Sequence, residues 1–139
     1  MTRTRAESAA FHTADNVVRG VTVAAVLMSA DVHLALYFAG FAGIPAVGPL
    51  FVVNAVAGLV IGVAMLVWRH WLPAFIAFGF NAVSLVALYV STTVGLFGFR
   101  ETGAGSQETI SVVAEVIGLV GALALLVLRW QRARALVRA

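Results

Sequence analysis

With 139 residues the chain has room for one domain. Apolar residues make up 62% of it and charged residues 11%, against about 25% charged in an ordinary water-soluble domain. A soluble fold could not clothe its surface with so few charges, and the absence of cysteine excludes disulfides, thiolate metal sites and thiol redox chemistry.

Residues 1–16 are polar and carry Arg3, Arg5, Glu7 and Asp15. The first apolar run follows, interrupted only by Asp31 and His33, and predicts a membrane-spanning helix over 17–40. Further runs predict helices over 48–68, 72–97 and 109–130, with a basic tail over 129–139 that prolongs the last one. A helix rising about 1.5 Å per residue needs about 20 residues to cross the hydrocarbon core, and each run is long enough. None alternates as a membrane barrel strand would. Met28-Ser29-Ala30 loosely resembles a signal-peptidase site, but Met28 suits it poorly and apolar sequence continues beyond, so the first run is read as a retained span.

The connections differ in kind. Gly40 to Val47, with Gly43 and Pro45, predicts a tight turn; Arg69-His70-Trp71 predicts a tighter one, with Pro73 in the first turn of the following helix. Gly98 to Glu108 is longer, and Ser106, Gln107 and Glu108 suit the start of the fourth helix.

Arginine sets the orientation. The chain has nine arginines and no lysine: Arg3, Arg5, Arg19, Arg69, Arg129, Arg132, Arg134 and Arg138 fall on one side, and Arg100 alone on the other. Basic residues stay cytoplasmic, so both termini are expected inside, with Trp68, Trp71 and Trp130 at that same interface. The expectation is an all-α integral membrane four-helix bundle, a single domain over 1–139, in a bacterial plasma membrane. The bias toward Arg, Ala, Val, Gly and Leu points to an actinobacterial genome. Arg129, Arg132 and Arg134 are expected to meet anionic lipid headgroups, not nucleic acid.

Lipid tails remove the hydrophobic drive between helices, so small residues must permit close approach. Gly58 and Gly62 form one such face, and Ala114, Gly118 and Ala122 another. Each reads as packing within the bundle, or, for Gly58 and Gly62, as a surface for a partner or a second copy.

Ionisable groups inside hydrocarbon are costly and mark sites or paths. Counting about 1.5 Å per residue from the helix ends places Asp31, His33, Asn54, Tyr89, Thr92 and Glu115 in one stratum of the outer half. Tyr37 shares the His33 face. Asp31 and His33, two apart, must point to different sides. The stratum is read either as a buried hydrogen-bond network fixing helix register or as a small-ligand, ion or proton site. His33 with Glu115 or Asp31 would be a thin metal site. No cofactor is expected: His12 and His70 lie near the cytoplasmic side, which argues against bis-histidine haem. Ser29 and His33 share a face, but no residues are singled out as catalytic.

His33-Leu34, Pro49-Leu50-Phe51 with Asn54, Gly95-Leu96-Phe97-Gly98-Phe99, and Ser111 with Glu115 resemble a loose group of small four-helix actinobacterial membrane proteins. That resemblance implies no activity; it favours His33 and Glu115 as more than accidents. Small multidrug transporters also have four helices and an acid in the first, but here the acid comes late and the arginine bias excludes dual topology. The leading functional expectation is an accessory or assembly subunit of a larger membrane complex, with other membrane subunits or further copies as partners. The rival is a binding or transport module using Asp31, His33 and Glu115.

Overall fold

In a computed structural model, residues 2–102 and 105–138 are described, with side chains for 9–102 and 105–137. The expectations placed on the side chains of Arg3, Arg5, Glu7 and Arg138 lie outside the described residues. The protein is all-helical, with α1 over Thr2–Phe38, α2 over Val47–Val67, α3 over Trp71–Thr93 and α4 over Ser106–Arg138. All four are long and apolar enough to cross a membrane, over Ala9–Phe38, Val47–Val67, Trp71–Thr93 and Ser106–Val137.

The boundaries depart from expectation where local chemistry overrides hydropathy. α1 begins at Thr2 rather than 17, because residues 2–16 contain no Gly or Pro and are rich in Ala, with Arg and Glu, which hold a helix without being apolar. α3 stops at Thr93, short of the expected 97. There Gly95 takes φ 91°, and Phe97 and Gly98 take φ 51° and 82°. Those two left-handed residues form a tight reversal in which Leu96 and Phe99 exchange both backbone hydrogen bonds, at 2.7 and 2.9 Å. α4 begins at Ser106 with Glu108 in its first turn and continues past 130 to Arg138. His70 caps α3, its Nδ1 accepting from Leu72 N at 3.3 Å.

α1 and α4 form the central pair; α2 lies against α1 and α3 against α4, while α2 and α3 meet sparingly despite the short link between them. The end holding the termini and the α2–α3 link is the terminal end, and the opposite one the loop end. Val23, Val26, Met65, Ala74, Ala77, Ala122 and Leu125 fill a tight core toward the terminal end. Outward faces carry Val53, Val60, Val83, Val86, Val113 and Val120, the apolar exterior that a lipid solvent requires.

The glycine faces pack inside this chain. A Cβ on Gly58 would lie 2.9 Å from the Cβ of Ala30, and one on Gly62 2.6 Å from Cδ2 of Leu27, both on α1. Gly118 admits Asn81 of α3, whose amide atoms would stand 2.7–2.9 Å from an added Cβ. These contacts bring helix axes close enough for dispersion between them to contribute.

Candidate functional site

Of the expected polar stratum, two members meet directly. Glu115 on α4 is 2% exposed. Its Oε1 accepts the hydroxyls of Ser29 from α1 and Ser111 from its own helix, each at 3.2 Å. His33 Nε2 stands 3.8 Å from the same oxygen. The spacing explains the assembly: Ser29 and His33 are four apart on α1, as are Ser111 and Glu115 on α4, so each pair shares a face.

The His33 ring is tied down on its other side. Nδ1 lies 2.8 Å from the carbonyl oxygen of Ser29. A carbonyl only accepts, so Nδ1 carries hydrogen, and the Nε2 lone pair or a second proton faces Glu115. Three neighbours converge on Oε1, and among the described residues no hydrogen bond reaches Oε2.

A cavity of about 540 Å³ opens beside this quartet, between α2 and α3. His33, Ser111 and Glu115 stand in its wall, with Asn54 and Ser84 as a second polar spot. Asn54 Nδ2 donates to Ser84 Oγ at 2.8 Å, whereas its Oδ1 is buried with no partner among the described residues. Rings roof the cavity at the loop end. Phe99 meets Phe41 edge-on at 5.8 Å, Phe41 stacks on Phe51 at 5.0 Å, and Phe51 meets the His33 ring at 5.2 Å. Gly79 leaves open space in the α3 wall, where an added Cβ would meet nothing within 4 Å.

The remaining members of the stratum do not join. Asp31 is on the exposed side of α1. Tyr89 is 69% exposed, and Thr92 is exposed, its hydroxyl bonded to the carbonyls of Leu88 and Tyr89 in its own helix. Tyr37 is half-buried, its ring edge-on to Phe38 at 5.2 Å. Among the described residues no three His, Asp or Glu side chains gather as a metal site. His33 and Glu115 face each other without a third ligand.

A second polar cluster, which hydropathy does not predict, lies at the terminal end. Arg19 is buried, its Nη1 donating to the carbonyl of Met65 at 2.7 Å, and Asp15 lies 3.7 Å from its Nη2. Arg129, expected at lipid headgroups, approaches Asp15 at 3.9 Å and donates to the carbonyl of Arg69 at 3.3 Å. Arg69 in turn donates to Asn16 Oδ1 at 2.9 Å. Arg132 stands over the Phe11 ring at 5.4 Å and Arg134 over Trp130 at 3.6 Å. The available signal was the acid-then-base spacing of Asp15 and Arg19, four apart at the start of the apolar run.

No family model, curated protein or solved structure matches this chain.

Proposed function

We propose that this is a bacterial plasma-membrane protein of four spans with both termini cytoplasmic, whose α2–α3 cavity binds a small, mostly apolar molecule carrying one polar group. The carrying observation is the juxtaposition of a cavity of about 540 Å³ with a buried glutamate that has one oxygen unengaged. Apolar walls with a few convergent polar groups are the usual make-up of a small-molecule site. The orientation is supported by Arg19, Arg69, Arg129, Arg132, Arg134 and all three tryptophans at the terminal end, against Arg100 at the loop end. In that orientation Arg132 and Arg134 are placed for anionic headgroups.

The test uses nanodiscs and the neutral fluorescent probe N-phenyl-1-naphthylamine beside tetraphenylphosphonium. Wild-type protein should show saturable uptake above that of protein-free discs. Gly79→Phe, which grows into open space, should abolish it with little change in thermal unfolding. If neither probe shows a saturable component, the ligand reading is overturned.

Asp31 favours a second role, as an accessory or assembly subunit. A charged side chain on the exposed side of a span is costly in lipid unless another chain faces it. A neighbouring helix with an arginine, histidine or amide at the same depth would meet it; a second copy is the homo-oligomeric version. Under mild detergent extraction the complex should dissociate with Asp31→Leu. A wild-type chain that migrates alone refutes this role and leaves the cavity untouched.

A further inference from the structure

The cavity reading leaves the charge of the ligand open, and the lining speaks to it. Five phenylalanines, Phe41, Phe51, Phe75, Phe80 and Phe99, contribute walls. The charged lining is acidic, with Glu101 and Glu108 toward the loop end and Glu115 deeper; among the described residues no arginine lines the space. Among the described residues His33 is the sole lining group able to carry positive charge.

Resting on the cavity reading, we infer that the ligand is a lipophilic organic cation, a protonated amine or quaternary centre on an apolar body, held by Glu115 among the phenylalanine rings. Three features support a cation over a neutral or anionic guest. First, Oε1 of Glu115 already accepts two hydroxyls, and Oε2, which no hydrogen bond reaches among the described residues, is left to an incoming group. Second, phenylalanine faces are electron-rich and attract cations most strongly where water is excluded. Third, Glu108 and Glu115 stand in the wall to compensate a cation, whereas among the described residues no arginine lines it to compensate an anion. Asn54, whose Oδ1 has no partner among the described residues, offers an acceptor to an ammonium hydrogen from the α2 side.

Isosteric ions isolate the charge. Protein in nanodiscs is titrated with tetraphenylphosphonium, tetraphenylborate and neutral triphenylphosphine oxide, each corrected for uptake by protein-free discs. The phosphonium should bind the wild-type chain at least about tenfold more tightly than either of the others, a difference of about 1.4 kcal/mol. Glu115→Gln should remove that preference while keeping the weaker uptake of the neutral compound. Should this variant fail to fold, the wild-type ion comparison still decides. Equal or tighter binding of the borate or the neutral compound overturns the cation inference and leaves the cavity reading standing. Displacement of all three by lipid acyl chains, with no saturable binding, overturns both.

Discussion

Ser29 and Glu115 lie 86 positions apart in the chain and are joined by one hydrogen bond of 3.2 Å that ties α1 to α4. The same carboxylate oxygen serves Ser111 and faces His33, so a single buried atom organises two helices and one wall of the cavity.

That arrangement separates function from stability. Replacing a buried ionisable network by an apolar side chain of similar volume is often neutral or stabilising. In the double variant Glu115→Leu with His33→Leu, both ionisable members are replaced, and Ser29 and Ser111 can turn their hydroxyls to carbonyls one turn back. Unfolding in mixed micelles should therefore change by no more than about 1 kcal/mol, while phosphonium binding is lost. A large loss of stability with binding intact would identify the quartet as scaffolding.

The terminal cluster should behave in the opposite way. Arg19, with a side chain 8% exposed, is bonded to the end of α2 and stands beside Asp15. Removing one member of a buried pair costs about 3–5 kcal/mol, because the other charge is stranded. Asp15 keeps Arg129 at 3.9 Å, so Arg19→Ala should fall at the low end of that range, and adding Asp15→Ala should restore part of the loss. A double-mutant cycle in detergent reads the coupling; additive losses would mean that the two side chains do not interact.

Glycine substitutions should rank by what they strike. Gly58→Ala meets the Ala30 Cβ, which is fixed to its backbone, whereas Gly62→Ala meets the end of Leu27, which can turn aside. Overpacking costs about 1–3 kcal/mol, so Gly58→Ala should lower thermal stability and Gly62→Ala should lower it less. The reverse order in a thermal-shift measurement would contradict the α1–α2 contact.

Phe41 stands between Phe51 and Phe99. Phe41→Ala removes two ring pairs, each worth about 0.5–1.5 kcal/mol beyond burial. The expected outcome is a lower unfolding midpoint together with faster probe release, since the roof of the cavity is thinned. Unchanged release kinetics would show that ligand does not leave at the loop end.

How much of this was legible in the sequence depends on geometry. Run length and the scarcity of charge were enough for four apolar helices. Counting residues from helix ends gave depth, and depth put His33 and Glu115 in one layer. Depth carries no information about azimuth, however, and azimuth separates His33 from Asp31. Tyr89 and Thr92 sit at a suitable height on the outward side of α3 for the same reason. By sequence Asp15 reads with the polar N-terminal residues because the apolar run starts after it, although the helix does not. The cavity was illegible because it arises from α2 and α3 leaning on different neighbours, a relation that no local pattern encodes.

One consequence follows from the amide of Asn54. Its bond to Ser84 is the polar link between α2 and α3 among the described residues, and both ends stand in the cavity wall. The bond is thus a clasp across a pair of tongs hinged at the Trp68–Trp71 link. A guest that draws on Ser84 or on the Asn54 amide hydrogens competes with the clasp, so filling the cavity and loosening its jaws are coupled events.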